Sequence, residues 1–257
     1  MIFGKYSRQL IKQRKHAGNG SFILILIIIL LNSCNGFKSN KPGILVITGG
    51  HSYDTTEFFN FFLNLENYDV DTISQPQANQ FLGSGNGHDY EALVFYDMWD
   101  EITEDQKEAY IELTRLGIPM LFLHHSLVSY QSWPEFINII GGKYITEVQE
   151  MDSASLSAYR HDLDLDVRIL DRNHPVTRGL NDFKIHDEGY SNLQILNSIQ
   201  PLLATENIYC EKIIGWAHSY NNSDIVYLIF GHDRKAYEDP DFRHLVRNTL
   251  NWFCNEK

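Results

Sequence analysis

The pattern of apolar and polar positions predicts alternating strands and helices in the first half of the chain. Short unbroken apolar runs are typical of strands that are buried on both faces. Between these runs, apolar residues recur at helical spacing, and Thr103-Glu-Asp-Gln106 fits a capping box. We therefore expect strands over Ile44–Thr48, Tyr68–Ile73, Ala92–Tyr96 and Ile118–Leu123, and helices over Thr55–Glu66, Thr103–Leu116, Trp133–Ile140 and Asp241–Phe253.

The second half of the chain has a different texture. Polar and apolar residues alternate in Leu163–Ile169, which is the period of a half-exposed strand. Further apolar runs predict strands over 201–205, 212–217 and 224–230, whereas the glycine-containing segment Gln75–His88 is expected to be a loop. These patterns predict an α/β fold with a mostly parallel sheet, helices on both faces and an antiparallel insertion around 143–170. Ile44–Thr48 and Ile118–Leu123 are expected at or near the centre of that sheet.

The N-terminus has the features of a bacterial lipoprotein signal. A basic segment precedes the apolar run Phe22–Leu31, which is too short to span a bilayer and fits the apolar core of a signal peptide. Leu31-Asn-Ser-Cys34 resembles a lipobox. We therefore expect a signal peptide over residues 1–33, lipidation of Cys34, a tether over 34–42 and one domain over 43–257, held at the bacterial cell envelope and facing the periplasm. An ordinary signal peptide with an incidental cysteine is the alternative.

The net charge excludes some classes of binding partner, and the cysteine content leaves two possible thiol states. Removing residues 1–33 takes away five of the 21 basic residues and none of the 33 acidic ones, leaving 16 basic residues and a net charge of −17. Such a surface repels nucleic acid and anionic lipid headgroups, so no nucleic-acid partner is expected and membrane attachment is assigned to the lipid anchor. Cys210 and Cys254 are expected either to pair as a disulfide or to remain free thiols.

Histidines and carboxylates follow several of the predicted strands. His51, His124-His125 and His232 each come just after an apolar run, and Asp187-Glu188 lies in a fourth segment. The carboxyl ends of parallel strands share one edge of a sheet, so we expect these groups to meet in one pocket. On a strand, Asp187 and Glu188 point to opposite faces, so one of them should reach the site. Imidazole and carboxylate suit acid–base catalysis and divalent metal binding.

Seven motifs occur in order over residues 43–253: Thr48–His51, Leu123–His125 with Trp133, Gly141-Gly142, His174–Gly179, Asp187–Tyr190, Ile214–Trp216 and Phe230–Asp233. Together they resemble those of ThuA-like (trehalose-utilisation) proteins. The resemblance implies a flavodoxin-like fold related to class I glutamine amidotransferases without their catalytic cysteine, and a role in the catabolism of disaccharides or keto-sugars. The chain departs from the family at Gly189, where bulkier residues are common.

The residues and the resemblance together predict an envelope protein that acts on a small carbohydrate, as an isomerase, lyase or hydrolase. The alternatives are a non-catalytic sugar-binding lipoprotein and an amidotransferase-like hydrolase that uses Ser126, although Ser126 lacks the flanking glycines of a nucleophile elbow. A divalent metal such as zinc or manganese is a candidate cofactor, with His124, Glu188 and His232 as its ligands. The expected catalytic residues are His124, His125, Glu188 and His232, and the expected sugar-binding residues are His51, Trp133, Asp187, Tyr190 and Trp216.

Overall fold

Five parallel strands form one half of the sheet in a computed structural model that describes residues 41–146 and 156–255. The apolar runs lie in these strands, and β1, β3 and β4 are buried on both faces, as expected for strands covered by helices on each side. The strands are β1 Gly43–Gly49, β2 Asp69–Ser74, β3 Ala92–Asp97, β4 Met120–Leu123 and β11 Ser223–Leu228, in the order β2-β1-β3-β4-β11.

The other half of the nine-stranded sheet is antiparallel and continues from β11. It runs through β10 Ile213–Tyr220, β9 Gln200–Ala204, β6 Ala158–Ile169 and β7 Phe183–Ser191. A separate pair, β5 Gly142–Lys143 and β8 Gln194–Ile195, forms a small second sheet. The predicted α/β fold with a mostly parallel central sheet is therefore confirmed, and the antiparallel part is larger than the insertion predicted around 143–170. Strand β4 lies beside the central strand β11, whereas β1 lies one strand in from the edge strand β2.

Six α-helices accompany the strands in the described residues: α1 Thr55–Leu63, α2 Gln77–Gly83, α3 Glu104–Arg115, α4 Phe136–Ile140, α5 Arg234–Glu238 and α6 Pro240–Asn255. The capping box at Thr103 is confirmed, with both of its hydrogen bonds formed to Gln106. The helical spacing of apolar residues in this segment also predicts that Leu116 is buried; this is wrong, because Leu116 is exposed and Thr114 is buried instead.

The prediction of a loop over Gln75–His88 is wrong, because this segment contains helix α2. Ala78, Asn79 and Leu82 of α2 are buried, so packing against the rest of the protein stabilises this helix. The glycines in and after it are typical of a loop, which is why the sequence did not indicate a helix. The contacts of α2 are mainly with α3. The segment therefore contributes to the core rather than to a surface loop.

Several predictions concern residues outside the described ranges. These are the signal peptide over 1–33, lipidation of Cys34, most of the tether over 34–42 and the part of the insertion that spans 147–155. None of the helices in residues 41–146 and 156–255 is long and apolar enough to cross a membrane. Cys210 and Cys254 are not joined by a disulfide.

Candidate functional site

One cavity of about 330 Å³ is lined by residues that follow the ends of β1 and β4 and by side chains of β7. The predicted meeting of strand-end histidines and a carboxylate is found here. His232 is also part of the site, since its Nδ1 lies 2.7 Å from Oε2 of Glu188. The cavity is lined by His51, Met98, His124, His125, Val128, Tyr144, Tyr159, His161, Glu188 and Tyr190.

Three side chains in and beside this cavity are spaced as metal ligands. His124, Glu188 and His232 each offer one ligand atom, and these atoms all lie within 4.8 Å of one another. His124 and Glu188 are buried, and His232 is partly exposed. Two imidazoles and one carboxylate form the ligand set of many catalytic zinc sites, in which a further position stays open for water or substrate.

His124 occupies a strained turn directly after β4. Its φ of +50° lies in the left-handed region that side-chain-bearing residues rarely adopt, and a short 3₁₀ helix over His124–Val128 follows. In α/β hydrolases, such a strand-to-helix turn carries the nucleophile and presents it above the sheet. Here the same kind of turn presents an imidazole, although the glycines that would have marked an elbow in the sequence are missing.

The hydrogen bonds of His124 fix its tautomer. Its Nδ1 lies 2.8 Å from the carbonyl oxygen of Ile229, which can only accept, so Nδ1 carries the proton and Nε2 keeps a lone pair. Nε2 lies 3.1 Å from the hydroxyl of Tyr190. Burial lowers the pKa of His124 to about 4, so the ring is neutral at pH 7. A neutral imidazole held by a backbone carbonyl is the usual form of a metal-binding histidine.

Glu188 is the acidic member of the group. Burial alone would raise its pKa, but the contact with His232 opposes this effect, and the net result is a lowered pKa. The contact with Glu188 in turn raises the pKa of His232, against the opposing effect of burial. Glu188 is therefore ionised at neutral pH and brings a negative charge to the cavity.

Asp187 points away from the cavity, as alternation along β7 requires, so its predicted sugar-binding role is wrong. Its carboxylate accepts hydrogen bonds from the backbone N–H groups of Gly231 at 2.8 Å and His232 at 3.0 Å. It also accepts one from the N–H of Glu188 at 2.8 Å. Burial raises the pKa of Asp187 to about 7. Its structural effect is to fix the turn that carries His232 next to Glu188.

His125 and His51 also line the cavity. Their ring centroids are 4.8 Å apart, and the ring of Tyr96 lies against His125 at 4.4 Å. His125 is buried, and neither of its ring nitrogens has a hydrogen-bond partner in the described structure. Burial, with the nearby charges of other histidines, lowers its pKa well below the usual value. A neutral imidazole with unpaired nitrogens at a cavity wall is suited to hydrogen-bond a polar ligand.

The two predicted sugar-stacking tryptophans lie in the core instead, so that prediction is wrong. Trp216 on β10 is fully buried, and its indole N–H donates to the carbonyl oxygen of Ile140 at 2.8 Å. A Cβ on Gly142 would lie 2.9 Å from the Trp216 ring, so the glycine pair after α4 makes room for this indole. Trp133 is buried against Phe136. The aromatic residues that do line the cavity are Tyr144, Tyr159 and Tyr190.

The side chain of Ser126, the nucleophile of the amidotransferase-like alternative, does not line the cavity. Ser126 is fully buried, and its hydroxyl has no hydrogen-bond partner among the described residues. Burial raises the pKa of the Cys210 thiol to about 12, so it is protonated. Cys210 packs on Gly189, where an added Cβ would lie 2.1 Å from its Sγ. This close packing leaves no room for a side chain at position 189.

Sequence reasoning missed one imidazole of the site, His161 on β6. Its Nδ1 lies 2.9 Å from Oε2 of Glu188, and its ring centroid is 4.6 Å from that of His232. No apolar run ends at His161, which sits within a polar stretch, so the signal that revealed the other histidines was absent. Tyr144 and Tyr159 were missed for the same reason.

A comparison with known proteins places these features in a family. The ThuA family, described as trehalose utilisation, matches residues 43–253. A comparison with curated proteins finds no significant sequence match.

Solved structures share the fold at low sequence identity. A ThuA-like protein from Parabacteroides merdae has a TM-score of 0.71 at 18% identity, with 84% of this chain and 91% of that chain covered. A ThuA-like protein from Bacteroides uniformis has a TM-score of 0.63 at 16% identity, with 84% and 93% covered. PurLQS from Thermotoga maritima has a TM-score of 0.52 at 11% identity, with 82% and 99% covered. At these identities the likeness concerns the fold alone.

Proposed function

The chain belongs to the ThuA family of trehalose utilisation, and from this premise we propose that it is a carbohydrate-active protein whose cavity binds a sugar or keto-sugar beside a divalent metal. The observation that carries the proposal is the group His124, Glu188 and His232, whose ligand atoms lie within 4.8 Å of one another at a cavity. A metal there would polarise a sugar carbonyl or activate a water molecule.

The lining of the cavity favours an uncharged ligand. In the part of the chain that the structure describes, no lysine or arginine lines the cavity, and its carboxylate is Glu188. A phosphorylated or acidic sugar would meet this negative charge without a cationic partner, which costs free energy in a partly buried site. Imidazoles and tyrosine hydroxyls bond neutral hydroxyl and carbonyl groups well.

The arrangement of the residues also suits proton transfer. Isomerisation or elimination at a keto-sugar requires a base that removes a proton next to the carbonyl, and a nearby imidazole or carboxylate can do so. His125 and His51 also line the cavity, and their ring centroids are 4.8 Å apart. In this proposal the metal is bound by His124, Glu188 and His232. The substrate is contacted by His125, His51 and Tyr190.

Metal analysis and ligand titration test the proposal. The purified protein, reconstituted with zinc or manganese, is expected to hold one metal per chain and to bind trehalose or a keto-disaccharide. The His232→Ala variant should lose the metal. His88→Ala, which replaces an exposed histidine that does not line the cavity, should keep it. Product formation from the keto-disaccharide identifies an enzyme, and binding without product identifies the sugar-binding alternative. Binding of neither metal nor sugar contradicts the proposal.

The proposal includes attachment to the bacterial envelope through Cys34. The basic segment, the apolar run Phe22–Leu31 and the lipobox-like Leu31–Cys34 support it. The Cys34→Ala precursor is expected to leave the membrane fraction and to lose labelled fatty acid. Continued sedimentation of the variant with membranes, with label still attached, would contradict lipidation.

A further inference from the structure

An irregularity in β6 lies opposite Glu188. Arg160 pairs with Gly189 and Leu163 pairs with Asp187, so His161 and Asp162 of β6 together face Glu188 of β7. Two residues opposite one define a β-bulge, and Asp162 has the positive φ of +56° that often accompanies one. Bulges of this kind re-aim side chains and are frequent beside functional sites.

The bulge determines which face His161 occupies. Leu163 and Leu165 are buried on one face of β6, and strict alternation would place His161 on that same face. The extra residue reverses the alternation, so His161 and Tyr159 instead share the cavity face with Glu188. Tyr159 pairs with Tyr190 of β7, and both line the cavity. The bulge therefore brings an additional imidazole to the site.

Two imidazoles contact the same carboxylate oxygen. His232 Nδ1 lies 2.7 Å from Oε2 of Glu188 on the inner side, and His161 Nδ1 lies 2.9 Å from it on the outer side. His232 belongs to the group with metal-ligand spacing, whereas His161 does not. Half of the His161 side chain is exposed, so packing in the core does not account for its position.

We propose that His161 is a positioning residue that holds Glu188 in the orientation in which it binds a divalent metal. This role rests on the metal site proposed above. Carboxylates that bind metals are usually oriented by a hydrogen-bonding neighbour, and loss of such a neighbour typically weakens metal binding roughly 10- to 100-fold. The Nδ1 of His161, 2.9 Å from Oε2 of Glu188, is the atom positioned for this role, so another side chain with a hydrogen-bond donor at the same position should be able to replace it.

The same hairpin supplies a matched control. His186 of β7 is a second histidine, whose Nδ1 lies 2.7 Å from Asp164 and whose Nε2 lies 3.2 Å from Asp162. It does not line the cavity. Its replacement changes an imidazole–carboxylate contact on the hairpin without touching Glu188.

Zinc and cobalt titrations of purified variants test this role. We expect His161→Ala to bind zinc roughly 10- to 100-fold more weakly than the unsubstituted protein, and His161→Asn to stay within about threefold of it, because the asparagine amide nitrogen takes the place of Nδ1. His186→Ala should bind zinc as the unsubstituted protein does. The visible absorption of bound Co²⁺ should change in His161→Ala only, and thermal unfolding of the metal-free variants verifies that each is folded.

The possible failures are distinguishable. Equal zinc affinity of His161→Ala and the unsubstituted protein overturns the positioning role and leaves the metal site standing. An equal loss in His161→Asn and His161→Ala overturns positioning through Nδ1. Absence of zinc, manganese and cobalt binding in the unsubstituted protein overturns the metal site itself, and the role of His161 with it.

Discussion

The two halves of the sheet contribute to the site in different ways. The parallel half supplies His51, His124 and His125 from the points where strands end, and His232 lies four residues after the end of β11. The hairpin of β6 and β7 supplies Glu188 and its neighbours from within the strands, on one face. Strand-end groups are placed by topology, whereas mid-strand groups are placed by register. The site therefore depends on two independent features of the fold.

The largest expected effect is the loss of the carboxylate that the hairpin contributes. Glu188→Gln keeps the side-chain volume but removes the charge that faces His232 and His161, so we expect zinc affinity to fall by more than about 100-fold. Calorimetric titration measures this fall. Asp166→Asn, on the exposed face of β6 next to Lys184, is the control and should bind zinc normally. Zinc affinity retained by Glu188→Gln would show that the histidines of the parallel half hold the metal without the hairpin.

A second prediction separates the core of the antiparallel half from the site. Trp216→Ala should lower the free energy of unfolding by about 3–5 kcal/mol, because it empties a fully buried space. Trp216→Phe keeps most of the packing and loses the hydrogen bond to Ile140, so it should cost less, about 1–3 kcal/mol. Chemical denaturation measures both. If Trp216→Phe keeps its stability but no longer binds sugar, Trp216 is a sugar-binding residue and not only a core residue.

A third prediction concerns pH, since each half contains one buried carboxylate whose pKa is raised to about 7. Burial raises the pKa of Asp97, at the end of β3, to about 7, and that of Asp187 likewise. The unfolded chain releases the Asp97 proton near pH 3.8, whereas the folded protein keeps it to about pH 7. Between these values the folded state binds more protons, so this group makes the free energy of unfolding fall as pH rises, by at most about 1.4 kcal/mol per pH unit.

The Asp97→Asn variant tests that effect on the parallel half alone. Between pH 4 and pH 7 its free energy of unfolding should fall less steeply with pH, because the folded variant no longer binds the Asp97 proton. The difference in slope corresponds to about one proton, and the contribution of Asp187 remains. The amide of Gln75, which donates to Asp97 at 2.8 Å, can still donate to the asparagine oxygen. Denaturation at several pH values measures the slope. An unchanged slope would mean that Asp97 is ionised in the folded protein.

The smallest expected effect distinguishes the two adjacent histidines of the parallel half. His125→Leu removes two buried nitrogens without partners, so stability should stay equal or rise by about 1 kcal/mol, while sugar affinity falls. His124→Leu leaves the Ile229 carbonyl unpaired and should lose about 1–3 kcal/mol. Thermal unfolding and sugar titration of both variants provide the measurements. Sugar affinity unaffected by His125→Leu would remove His125 from the binding wall.

The sequence was a good guide to those parts of the fold that depend on neighbouring residues. The capping box at Thr103–Gln106 depends on residues three apart, and the parallel strands depend on runs of apolar residues, so both were predictable. Helix α2 was missed because its glycines suggest a loop and its stability comes from burying Leu82. Trp216 was misplaced because an aromatic residue at the end of a motif has the same local appearance in a core and in a sugar site.

The sequence by itself determined the α/β class, the strand ends that carry His51, His124, His125 and His232, and the rule that one of Asp187 and Glu188 faces the site. Each depends on short-range periodicity, which can be recognised in the sequence without knowledge of the fold. Only the tertiary structure decided that Glu188 is the one, because this depends on which face of β7 meets the cavity. It also decided that His161 joins Glu188, because one extra residue in β6 reverses the alternation, and pairing register is a property of two distant strands.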